Sequence, residues 1–199
     1  MTTAPRYQGK YRIESTRLPD RDYAANGWYF VTICTRDRQH FFGEIIASQM
    51  QLSLIGKIAQ QFWVDIPGHF NYIHIDTWVV MPNHVHGIIV IDRPAELSSV
   101  PTPHVETLHA TSLQRQSARC QSMSDISPNA KSLGAIVRSY KSAVTHWCRK
   151  NDRGDFGWQT RFYEHIIRAD GSLDRIRQYI IDNPAKWESD KNNPTNLWM

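Results

Sequence analysis

Apolar positions recur along the chain with two different periods, and their order predicts a fold. Residues 27–35, Gly-Trp-Tyr-Phe-Val-Thr-Ile-Cys-Thr, are an aromatic and β-branched run that predicts a strand, with a turn near 37–39. Over 53–63, Leu54, Ile55, Ile58, Ala59 and Phe62 recur at helical spacing and leave one apolar face. Residues 73–81 and 84–91 predict two strands around a Pro82-Asn83 turn, most simply an antiparallel hairpin. A second amphipathic helix covers 132–147, with Leu133, Ile136, Val137, Tyr140, Val144 and Trp147 on one stripe. The run 158–168 predicts a fourth strand. Ser172 then caps a third helix, which Pro184 stops. The order β-α-β-β-α-β-α predicts an α+β, ferredoxin-like fold, a four-stranded antiparallel sheet with helices packed mainly on one face.

Composition adds a boundary to this picture. The stretch 92–130 contains no Phe, Trp, Tyr or Gly and is rich in Ser, Gln, Thr and Pro, too little apolar surface to offset its ordering entropy. It predicts a low-complexity insertion within a single domain spanning 1–199, since neither flank has a self-sufficient pattern. The net charge is +4, and residues 131–199, with 12 Lys/Arg against 8 Asp/Glu, hold a surplus of the same size. The richest apolar run is broken by Pro82, Asn83, His84 and His86, so no membrane span is expected. The first residues carry no apolar signal run, and Cys34, Cys120 and Cys148 lack a C-x-x-C spacing. A cytoplasmic chain with reduced thiols is expected.

Candidate chemistry starts at His84-Val85-His86-Gly87. Alternation along a strand points both imidazoles the same way, so they can share one divalent cation, and Gly87 leaves room beside them. Imidazole suits Zn, Mn, Fe or Cu, and the remaining ligands decide. The alternative is a pair of plain strand histidines. Farther on, Tyr179 and Asn183 stand at i and i+4 on the third helix, with Asn183 at its end because a residue before proline avoids the α region. A phenol is a potential nucleophile and an amide oxygen a neutral ligand. By spacing alone, a core tyrosine and a C-cap asparagine are the better reading.

Together the motifs Trp28-Tyr-Phe-Val-Thr, Trp78-Val-Val-Met-Pro-Asn-His84-Val-His86-Gly, Lys141-Ser142, Trp158-Gln159, Tyr163-Glu-His-Ile-Ile-Arg168 and Tyr179-Ile-Ile-Asp-Asn183-Pro184 resemble the HUH single-strand endonucleases of the single-tyrosine class. Among these the chain is most similar to the REP-associated tyrosine transposases, over roughly 23–188 without the insertion. The resemblance implies His84 and His86 as ligands of Mg²⁺ or Mn²⁺, with Asn183 as the third ligand where insertion-sequence relatives use glutamine. It implies Tyr179 as the nucleophile that cleaves single-stranded DNA, leaving a 5′-phosphotyrosine and a free 3′-hydroxyl that can rejoin strands. The group accepting the phenol proton stays open among Glu164, His165 and a metal-bound water.

The same resemblance implies a hairpin DNA partner. Arg138, Lys141, Arg161 and Arg168 are candidates for tracking its backbone, and Trp158, with Phe162 or Tyr163, for stacking on unpaired bases. Homodimer and monomer are both compatible with it. A hairpin-binding protein without transposition remains the alternative. A two-histidine phosphoesterase needs two H-x-S/T repeats, and the chain has only His109-Ala-Thr111.

Overall fold

The computed structural model describes residues 22, 24–94, 132–168 and 170–196. Apart from 92–94, the expected insertion 92–130 lies outside them. The main sheet is built from β1 (Gly27–Cys34), β4 (Ile73–Met81), β5 (His84–Ile91) and β6 (Tyr163–Ile167), in the spatial order β4-β5-β1-β6 with every neighbour antiparallel. The helices are α1 (Leu54–Val64), the one-turn α2 (Ile66–His69), α3 (Leu133–Lys150) and α4 (Ser172–Asp182). With β1, α1, β4, β5, α3, β6 and α4 taken in turn, this is the expected α+β arrangement.

Each side of the sheet has its own core. Odd-numbered residues of β1, Tyr29, Val31 and Ile33, pack with Ile55, Ala59 and Trp63 of α1 and with Leu133, Ile136, Tyr140 and Val144 of α3. The opposite side gathers Phe30, Ile88, Val90 and Ile167 under Ile180 of α4. Burying Ile180 contributes about 2 kcal/mol to holding α4 there. Serine caps start α1 and α3: Ser53 Oγ accepts from the Gly56 N–H and Ser132 Oγ from the Ala135 N–H.

Several boundaries differ from the pattern reading. A small hairpin, β2 (Gly43–Ile46) with β3 (Gln49–Leu52), precedes α1. Its strands are only four residues long and half polar, below the length at which alternation stands out. Ala47 and Ser48 at its tip both have positive φ, the geometry of a tight hairpin turn. Residue 158 forms only an isolated bridge with Thr35, and β6 begins at Tyr163. Ser172 is the first helical residue rather than the cap. Gly171 holds the cap position at φ 76°, and the Asp170 carboxylate accepts the Ser172 N–H. Asn183 keeps helical angles (φ −57°, ψ −42°) despite Pro184, within a turn in which the Lys186 N–H donates to the Asp182 and Asn183 carbonyls at 3.1 and 3.2 Å.

Helix α4 is fastened by a bulge. The β4–β5 register shifts between Ile75 and Trp78, and Asp76 there receives Arg177 through Nε at 2.9 Å and Nη2 at 2.8 Å. Those bonds hold the Asp76 carboxyl down at about 2, with Thr77 adding to the effect. A carboxyl depressed on folding stabilises the protein above its unfolded pKa, and that stability is lost as pH falls toward the folded value. Between about pH 4 and 2 the melting temperature of the wild type is therefore expected to fall more steeply than that of Asp76→Asn, as circular dichroism melts at stepped pH will show. Parallel slopes would mean the ion pair contributes nothing.

Candidate metal and tyrosine site

The site lies on the α4 side of the sheet. Even-numbered residues of β1 face that side, and His84 pairs in register with Cys34 and His86 with Thr32, so both imidazoles point under α4. Both are fully buried, with ring centroids 4.3 Å apart.

The neighbours of each ring fix what its nitrogens can do. Asn83 donates its amide to the carbonyls of Arg38 (3.1 Å) and Asn192 (2.8 Å), so its Oδ1 must accept. His84 Nδ1–H fills that role at 2.8 Å, leaving His84 Nε2 with a lone pair, buried and without a hydrogen-bond partner. His86 Nδ1 meets Thr32 Oγ1 at 2.9 Å, while its Nε2 is 3.3 Å from the Tyr179 hydroxyl. Burial keeps both rings neutral. It pushes His84 far below the usual imidazole range, helped by His86, Arg38 and Lys191, and His86 down to about 3, helped by Lys191.

Oxygen donors come from two later stretches. Asn183, at the end of α4, is 2% exposed and its Oδ1 has no hydrogen-bond partner. Asp190 completes a buried cluster with the two histidines, in which the three ligand atoms all lie within 4.8 Å of one another. Sequence patterns did not point to Asp190. It stands 106 positions after His84 in a polar stretch, Asp-Lys-Asn-Asn-Pro, with no periodicity; the only hint was the density of turn formers behind Trp187, whose ring lies 6.0 Å from that of His84.

Two neutral imidazoles and the Asp190 carboxylate form a buried, electron-rich group, and Asn183 shares a cleft with Asp190. A divalent cation fits this set. His84→Ala is expected to lower Mn²⁺ affinity roughly 100-fold or more, and Asp190→Asn about 10-fold or more, by isothermal titration calorimetry. Unchanged affinity in both variants would remove the cation from this position.

Tyr179 is 38% exposed, with its ring edge-on to Phe30 and beside His86 at 5.3 Å between centroids. Burial, and next the Asp190 carboxylate, raise its phenol pKa above the usual value, partly opposed by the Asn183 amide. Tyr179 and Asn183 share a cleft of about 320 Å³ with Lys186, Ser189, Asp190 and Lys191. Of the groups considered for the phenol proton, His165 sits on this side of the sheet, opposite Phe30, while Glu164 pairs with Val31 and falls on the other side.

His84, His86, Tyr179 and Asn183 are thus gathered in one place. Arg138, Lys141 and Trp158 are gathered in another, a larger cleft between α3 and the segment 156–162. Arg161 is exposed next to that cleft, and Arg168 is exposed beyond the end of β6.

No protein-family model matches the chain. An uncharacterised protein of Haemophilus influenzae is 38% identical over 184 residues, covering 92% of this chain and 94% of that one. Among solved structures, a REP-associated tyrosine transposase bound to a REP hairpin superposes with a TM-score of 0.52 at 20% identity, covering 92% of this chain and 76% of the other. The chain belongs to the family of the Haemophilus influenzae protein and carries the fold of the REP-associated tyrosine transposase.

Proposed function

We propose that the protein is a metal-dependent single-strand DNA transposase of the HUH type, cutting and rejoining hairpin-forming, REP-like DNA through Tyr179. One observation carries this reading: a half-exposed phenol stands 3.3 Å from a histidine of a buried His84, His86 and Asp190 cluster. A solved protein of the same fold, named as a tyrosine transposase, binds a hairpin.

His84, His86, Asp190 and Asn183 would hold the cation, which when bound supplies Lewis-acid polarisation of a phosphoryl oxygen and draws the phenol toward its ionised form. The chain's own residues do the rest. Asn83 and Thr32 fix the imidazoles, so their lone pairs need no reorientation. The edge-on contact with Phe30 and the anchor at Ile180 hold the Tyr179 hydroxyl at the site. Tyr179 Oη forms a bond to phosphorus, the phosphorus–O3′ bond breaks, and the departing 3′-oxygen takes up a proton while the phenol gives one up. Because the phosphotyrosine keeps the ester's bond energy, a 3′-hydroxyl can reverse the step without a nucleotide cofactor. No described helix is long and apolar enough to cross a membrane, and we place the protein in the cytoplasm, on the nucleoid.

The test is a covalent trap. Wild-type protein incubated with a single-stranded hairpin oligonucleotide and Mn²⁺ is expected to give a protein–DNA species that survives denaturing electrophoresis and disappears with EDTA. Hairpin binding without any such species would leave a DNA-binding role and no strand transfer.

A further inference from the structure

The larger cleft, about 700 Å³, opens on the side of the sheet away from His84 and Tyr179. One wall is α3, where Arg138, Ser142, Thr145 and Arg149 recur at helical spacing; the other is the segment 156–162. Its volume is within the range of sites that enclose small molecules, roughly 300–1,000 Å³.

Its lining is one-sided in charge. Arg36, Arg138, Lys141 and Arg149 contribute cations, and no carboxylate lines it among the described residues. Lys141 is the telling group. Its half-buried ammonium donates to the Gln159 carbonyl at 2.5 Å, a neutral partner, and burial lowers its pKa. Similarly, Arg36 donates to the Asp155 carbonyl at 2.6 Å. Arg36 is exposed and also lies 4.0 Å from the Asp37 carboxylate, so the gain from an incoming anion falls on the partly desolvated Lys141.

Aromatic surface lies beside this charge. Phe156, Trp158 and Phe162 line the same cleft. Trp158 is held in place, its Nε1–H donating to the Lys141 carbonyl at 3.1 Å and its ring set against Phe42, Tyr140 and Phe156. A rigid ring next to cations is the combination that takes a nucleobase with its phosphate.

The cleft also adjoins the reactive side. Phe162 lines it, and the next residue, Tyr163, pairs with Thr32 on the opposite side of the sheet, where its ring meets Lys191 at 5.5 Å. β6 is an edge strand of the sheet, and among the described residues no further strand lies outside it.

We infer that this cleft seats one unpaired nucleotide of the DNA strand, its base on Trp158 and Phe162 and its phosphate on Lys141 and Arg149, so that the strand crosses the β6 edge toward Tyr179. The inference deepens the DNA-processing reading and rests on it. It makes α3 the element that selects an unpaired position.

Binding separates the two. Fluorescence anisotropy is measured on Tyr179→Phe protein, which excludes cleavage, with a short oligothymidine, an abasic oligomer of equal length and a blunt duplex. Ser142→Trp, an exposed helix position whose new ring fills the cleft, is expected to weaken oligothymidine binding roughly ten-fold or more. Duplex binding and the circular dichroism melt stay unchanged. The abasic oligomer binds the parent protein as weakly as oligothymidine binds the filled variant. Arg149→Gln lowers the slope of log affinity against log salt by about 0.7. Oligothymidine binding untouched by Ser142→Trp, or an abasic oligomer bound as tightly as oligothymidine, overturns the inference. If Tyr179-intact protein still forms the covalent species, only the cleft assignment falls; if neither binding nor adduct is seen, both readings fall.

Discussion

Tyr179→Phe protein is expected to form no covalent DNA species, while its Mn²⁺ and hairpin affinities should stay near those of the wild type. The substitution removes one oxygen. The ring keeps its edge-on contact with Phe30, 6.1 Å between centroids, and its place beside His86, so α4 stays docked. Lost are the hydroxyl 3.3 Å from His86 Nε2 and with it the only atom of this side chain able to attack phosphorus. Removing a nucleophile outright lowers turnover roughly 10⁴-fold or more, beyond any loss from a single hydrogen bond. Tyr163 provides the control. It is 49% exposed on the same side of the sheet, 6.3 Å from Phe30. An adduct that survives Tyr179→Phe and vanishes in Tyr163→Phe would move the nucleophile to β6. Formation rates in the two single variants, read from denaturing gels, decide between them.

The second large effect is structural. Gly87 follows His86 in β5, and a Cβ placed on it would stand 2.3 Å from Trp63 Cζ2 and 3.0 Å from Trp63 Cε2. Trp63 cannot give way easily, being fully buried with Tyr140 packed edge-on at 5.2 Å. Gly87→Ala therefore overpacks the α1–sheet interface and is expected to cost about 3 kcal/mol. For a chain of this size that lowers the melting temperature by roughly 6–12 °C. Adding Trp63→Leu should recover part of the loss, since the clash then has no ring to meet. A Gly87→Ala protein that melts with the wild type would mean the strand shifts freely under α1. Any such shift moves His86 too, so Mn²⁺ affinity is worth measuring on the same sample.

How much of this could be read from the chain depends on whether a relation is local. The period of two in His84-Val85-His86 places both rings on one side of β5, and the i, i+4 spacing of Tyr179 and Asn183 places both on one side of α4. Both follow from backbone geometry. That α4 crosses the side where the histidines point, while α1 and α3 take the other, is decided by tertiary burial of Ile180, which periodicity does not encode. Asp190 was hidden for the same reason, since only packing joins it to His84. The resemblance likewise named Arg138 and Lys141 as candidates for tracking DNA, but their separation from Tyr179 by the thickness of the sheet is a fact of topology. The short hairpin at 43–52 was missed because four-residue strands carry little signal.

Asn83 links the beginning and the end of this protein's assembly in time. Its amide reaches the Asn192 carbonyl while its oxygen orients His84, and Asp190 enters the cluster from the same late segment. A ribosome adds about 5–20 residues per second, so the 106 positions from His84 to Asp190 take roughly 5–20 s to make. For that interval the histidines are present with neither their buried carboxylate nor the second anchor of Asn83. A nascent chain still short of residue 190 has both histidines and the tyrosine but not the complete cluster, so under the proposed function an unfinished chain would lack the equipment to cut.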